Sequence, residues 1–140
     1  MTAPNPANRL YRGRTLTGYD QEGEHIAGWA EVSYESMRAI NHLTLGGAIP
    51  APIVYEALGH IMGVGLLLPQ ALTQLGQSLA DSLAVYDVYD NDGNPAENVA
   101  KARSYLYEAA DAATQLGRML EAGRDAIAAQ GFRGGVDDDR

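Results

Sequence analysis

Hydrophobic positions are most regular in the last third of the chain, where Val99, Ala102, Leu106, Ala109, Ala113, Leu116, Leu120, Gly123 and Ile127 recur at alternating spacings of three and four. That period keeps one stripe of a helix turned toward a partner helix. Several of these positions are Ala or Gly, so the partner backbone can approach closely. A second row, Tyr105, Ala112, Met119 and Ala126, widens the stripe beyond what one partner helix occupies. The pattern predicts a helix over 95–130 and at least one further packing face on it.

Upstream, Ser33 can cap a helix over 33–45 with Met37, Ile40 and Leu43 or Thr44 on one face and Gly46-Gly47 as its stop. Pro52 suits the first turn of a helix over 52–63 that carries Val54, Leu58 and Ile61 inward. Gly63-Val64-Gly65 reads as a kink or tight turn. A third helix over 66–87 then has Pro69 in its first turn and Leu68, Leu72, Leu75, Leu79 and Leu83 or Tyr86 as its stripe. Asp90-Asn91-Asp92-Gly93 breaks the chain; Asn94, Pro95 and Glu97 restart it as N-cap, first helical residue and capping-box acid. The arms on either side of this tip match in length, which predicts an antiparallel hairpin. The fold class expected is all-α, an antiparallel hairpin or bundle of about four helices within a single domain over 9–130.

The segment 9–32 fits less regular structure. Leu10, Tyr11, Leu16, Tyr19, Ile26, Trp29 and Val32 are interrupted by the turn-type tetrad Asp20-Gln21-Glu22-Gly23. Either a short β-hairpin, with strands near 14–19 and 24–29, or an extended arm satisfies it. Residues 1–8 and 131–140 have little to bury and are expected to be disordered.

Composition narrows the function classes. The 140 residues carry a formal charge of −8 and no cysteine, so disulfides, thiolate metal sites and cysteine nucleophiles are excluded. No Lys or Arg lies between Arg38 and Lys101, whereas Glu56, Asp81, Asp87, Asp90, Asp92 and Glu97 do. Phosphate recognition needs cations, so neither nucleic acid nor an anionic membrane is expected as a direct partner. The start, MTAPNPANRL, reads as neither signal nor transit peptide. The apolar run Ile61 to Pro69 is shorter than the roughly 20 residues of a span, and a cytoplasmic protein is expected.

Candidate chemistry is sparse. Asp90-Asn91-Asp92-Gly93-Asn94 resembles the middle of an EF-hand loop, but Val88 and Val99 fall where the first and last ligands belong. Glu56 and His60 are spaced to face one ion, with His42 as a third candidate, yet no hydrolase signature accompanies them. Asp20, Glu22, Glu24 and Glu31 near His25 offer carboxylates for acid–base work in a turn-rich segment without a predicted pocket. The glycine pairs lack the strand–Gly–helix context of a phosphate cradle. No catalytic, cofactor or metal residue is assigned.

Residues 18–29, GYDQEGEHIAGW, followed by 33–42, SYESMRAINH, resemble small uncharacterised helical proteins of actinobacteria of the kind carried on plasmids, integrative elements or prophages. The resemblance implies an accessory role on a mobile element and transfers no catalytic residue. The expected function is therefore non-enzymatic: binding another protein and forming a homodimer. Tyr105, Met119, Leu67 and Leu75 are the expected interface residues, with Trp29 as an arm anchor or a further interface residue. The competing readings are an acidic inhibitor or nucleic-acid mimic seated in a basic groove, and a structural component of a phage or conjugative assembly.

Overall fold

The computed structural model of the chain describes residues 14–18 and 26–134. They form three helices: α1 (Trp29–Leu43), α2 (Ala51–Val85) and α3 (Pro95–Ala126). The chain divides into two compact units, Met1–Ala48 and Ile49–Arg140. The all-α class holds. The expectation of about four helices does not, nor does a β-hairpin, since no strand occurs among the described residues. The stretches at 1–13, 19–25 and 135–140 lie outside the described residues, and with them Asp20, Glu22, Glu24 and His25.

The first unit shows why the hairpin pattern misled. Residues 14–18 and 26–30 do lie side by side, joined by Ile26 N–H to the Gly18 carbonyl (2.9 Å) and Trp29 N–H to the Thr15 carbonyl (3.0 Å). The second stretch, however, is the start of a helix. The N–H groups of Trp29 and Ala30 have no intrahelical acceptor, and the carbonyls of Thr15 and Leu16 take their place. Helix α1 is thus capped by backbone from its own arm, with no side-chain cap at Gly28. A Cβ on Gly28 would come within 2.5 Å of the Thr17 carbonyl carbon, so only glycine permits the crossing. Ser33, expected as the cap, lies inside the helix and donates back to the Ala30 carbonyl at 2.7 Å. Trp29 is half-buried in this unit, with the Arg14 guanidinium 5.8 Å from its ring centre.

Helices α2 and α3 form the second unit. Expected breaks at Gly63 to Gly65 are absent: α2 runs 35 residues without interruption and holds Pro69 in its interior. Proline has no N–H, so the Gly65 carbonyl loses its helical donor, a defect worth about 3 kcal/mol in an isolated helix. Packing overrides it. Val54, Leu58, Ile61, Gly65, Pro69, Leu72, Gly76, Ala80 and Leu83 keep spacings of three and four straight through the proline, and all are buried or half-buried.

The two helices are antiparallel. Gly59 meets Arg124, Gly65 meets Gly117 and Gly76 meets Leu106, one chain advancing as the other retreats. On α3 the residues turned to α2 are Val99, Arg103, Leu106, Ala110, Ala113, Gly117, Leu120 and Arg124, with Ile127 just beyond the helix. Alternate members of the expected seam are therefore displaced by one: Ala109, Leu116 and Gly123 are exposed, and their successors Ala110, Gly117 and Arg124 pack. Leucines 68, 75 and 79 are likewise exposed, and the α2 stripe centres on Leu72, Gly76 and Leu83.

Closest approach lies at Gly65. A Cβ there would stand 3.2 Å from the Gly117 Cα and 3.4 Å from its N, and these backbone atoms cannot rotate away. A Cβ on Gly117 would meet nothing nearer than 3.6 Å, and one on Gly63 or Gly123 nothing within 4 Å. Gly63→Ala and Gly123→Ala are therefore expected to stabilise the protein by about 0.5–1 kcal/mol through helix propensity. Gly117→Ala should be neutral or mildly stabilising, and Gly65→Ala should destabilise by about 1–3 kcal/mol through overpacking. Thermal and urea unfolding of the four variants checks the order.

Candidate functional site

Helix phase divides the hairpin into two flanks. In an antiparallel pair of right-handed helices, the residues one place after each seam position lie on the same side of both. On that side the Arg103 guanidinium donates to Gln77 Oε1 and the Tyr107 hydroxyl, both at 3.1 Å. Arg124 lies 3.8 Å from the Tyr55 ring centre and donates Nε to the Tyr55 carbonyl at 3.2 Å. Both arginines occupy seam positions, pack their stems inward and carry their heads outward over aromatic rings. This flank is tied together by polar contacts.

The residues one place before each seam position form the opposite flank, which is apolar apart from His60, Ser82 and Asn98. From α3 it takes Tyr105, Ala112, Met119 and Ala126, together with Ala109, Leu116 and Gly123. These form a second row at alternating spacings of three and four, beside the one that packs on α2. From α2 it takes Ile53, Ala57, Val64, Leu68, Ala71, Leu75 and Leu79. Met119 is 74% exposed, Tyr105 62% and Leu75 44%. Only Ala110 and Ala113 count as buried hydrophobic residues among those described, so the hairpin exposes most of its large apolar side chains.

The expected interface residues are thus partly brought together. Tyr105, Met119 and Leu75 share the apolar flank. Leu67 stands two places after Gly65, on the side of α2 away from α3, and is 68% exposed. Trp29 belongs to the other unit. The arginine flank was not foreseen; its signal was the 103–124 pair at seam spacing, which an apolar reading of the pattern passes over.

Other candidate chemistry is modest. An open groove of about 530 Å³ is lined by Pro52, Tyr55, Glu56, Gly59, His60, Met62 and Arg124. Glu56 and His60 line it together, but no group of three or more His, Cys, Asp or Glu residues among those described is placed to hold a metal. His42 lies in the first unit, in the last turn of α1. At the tip, both oxygens of Asp90 are used within the turn. Oδ2 accepts from Asn98 Nδ2 at 2.7 Å and Oδ1 from the Asp92 N–H at 2.9 Å. Asn94 caps α3 as expected, its Oδ1 accepting from the Glu97 N–H at 3.2 Å.

No protein-family model, curated protein or solved structure matches the chain. The site therefore stands on its own geometry.

The bond from Asn98, followed by that from the Asp92 backbone, holds the Asp90 carboxyl below its ordinary value. A depressed folded pKa stabilises the turn fully above the unfolded carboxylate pKa, and the contribution fades as pH falls through the lower folded value. Asn98→Ala is expected to return the Asp90 pKa toward the ordinary range in a carboxyl NMR titration; an unchanged value would show that the bond is not made. On the arginine flank, Arg124→Lys keeps the charge but loses the planar contact with Tyr55. A loss of about 1 kcal/mol in urea unfolding is expected.

Proposed function

We propose that the protein is a non-enzymatic, helical protein-binding accessory protein whose working surface is the apolar flank of the α2/α3 hairpin. The observation that carries this reading is the second apolar row of α3, Tyr105, Ala109, Ala112, Leu116 and Met119, left exposed beside Leu75 of α2. Contiguous exposed apolar surface of this kind marks interaction sites. A place on a mobile element, implied by the resemblance in residues 18–42, is the biological setting we propose, and the cytoplasm is the compartment.

Helix α2 is also long and apolar enough to cross a membrane, with a best-window mean hydropathy of 1.5. Its packing favours a protein partner. Helix α3 lies along it and carries Lys101, Arg103, Glu108, Asp111, Arg118, Glu121 and Arg124. Charged groups at membrane depth are costly, so the pair is poorly suited to enter a bilayer together.

A photo-crosslinking amino acid placed at Met119 in cells making the protein tests the reading. An adduct containing protein is expected from Met119, and none from the same probe at Glu121, one place after Leu120 on the arginine flank. Adducts to lipid alone, or equal yields from both positions, would overturn it.

A further inference from the structure

We infer that the occupant of the apolar flank is a second copy of this chain, docked with the two hairpin tips at opposite ends, so that a two-fold axis crosses the hairpin near Ala109 and Ala112. The inference rests on the protein-binding reading above and adds to it the partner and its orientation.

Area argues for a partner as large as the hairpin itself. Ile53, Val64, Leu75, Tyr105, Leu116 and Met119 are each between 44% and 74% exposed on this flank. With Leu68 and Leu79 beside them they amount to roughly 800 Å² per copy, so a symmetric pair buries about 1,600 Å², the standard size of a stable interface. Helix α1, with 15 residues, spans about 22 Å against about 52 Å for the 35-residue α2, so it is too short to cover the flank. A second hairpin has the matching length, and two hairpins joined by apolar flanks make a four-helix bundle.

Orientation follows from the order of side chains along the flank. Its centre is small, with Ala109 and Ala112 on α3 and Ala71 on α2. Toward the tip stands a bulky layer of Tyr105 and Leu75; toward the open end stands another of Leu116, Met119 and Val64. Turning one copy end over end about the small centre brings the aromatic layer of each onto the methionine layer of the other. Thioether and aromatic ring attract at such contacts. The parallel arrangement stacks each layer on itself.

Charge selects the same arrangement. The tip carries Asp87, Asp90, Asp92 and Glu97 with no cation before Lys101, whereas the open end sets Arg118 and Arg124 among Glu56, Glu121 and Asp125. Parallel docking puts two purely acidic tips side by side. The antiparallel form separates the two acidic tips by the length of the hairpin, and avoiding such like-charge juxtaposition fixes register more than affinity.

The chain has no cysteine, so Asp92→Cys gives one spin label at the tip of each copy in the full-length protein. Light scattering is expected to return twice the chain mass of 14.9 kDa. Pulsed dipolar spectroscopy on the labelled dimer is expected to give a distance of about 50 Å, the length of the hairpin. Met119→Lys, at an exposed position that leaves the hairpin intact by circular dichroism, is expected to return the monomer mass. A tip-to-tip distance within about 25 Å, the width of a four-helix bundle, would overturn the orientation. A dimer that survives Met119→Lys would overturn the surface. A monomer mass for the wild type at micromolar concentration would overturn the second copy as occupant, while a Met119 adduct of foreign mass in cells would leave the protein-binding reading standing.

Discussion

The second unit depends on one close approach, the backbone of Gly65 against that of Gly117. Two helices normally keep 8–10 Å between axes because side chains stand between them. Removing the side chain from both partners at one level lets main chain meet main chain, and the neighbouring positions then need only alanine, as at Ala110 and Ala113, to fill the remaining space. The small core of this hairpin is a consequence of that contact and not a shortage of apolar residues. Leucines such as Leu58, Leu72, Leu106 and Leu120 pack above and below this level, while Leu75, Leu116, Tyr105 and Met119 stand on the borders of the seam.

Pro69 fits the same frame. Its missing N–H deprives the Gly65 carbonyl of a helical donor at the point of closest approach itself, and a free-standing helix would weaken there. Here α3 lies alongside and the stripe passes through the proline unbroken. The sequence reading placed a helix end at Gly63 because glycine and proline are breakers when local propensity decides. Tertiary contact decided instead, and the glycines serve as clearance.

The hairpin itself, its tip and the cap at Asn94 were legible, because turn chemistry is local and the two arms match in length. The seam was legible in period and misplaced in alternate positions. At three of its levels the choice lay between Leu116 and Gly117, Ala109 and Ala110, Gly123 and Arg124. An apolar scale prefers Leu116 and Gly123 and cannot separate the two alanines, yet the structure takes arginine for its long apolar stem and glycine for its lack of a side chain. The N-terminal segment was illegible for another reason. The turn-type residues Asp20 to Gly23 suggested strands near 14–19 and 24–29, but the pattern could not tell that Trp29 begins a helix whose orphan donors residues 15 and 16 satisfy.

The tip has a consequence for how the molecule comes to be folded. Closing a loop costs entropy that grows with the chain enclosed, and the contacts of the hairpin are ordered by that cost. Asp90, Asp92 and Asn98 meet within nine residues; Gly76 and Leu106 enclose about thirty, Gly65 and Gly117 about fifty, and Gly59 and Arg124 more than sixty. Each contact shortens the loop that the next must close. The chain can therefore zip from its acidic turn toward the open end, with the stacking of Arg124 on Tyr55 as the final latch, and such stepwise closure belongs to the fast, low-contact-order class of folding reactions.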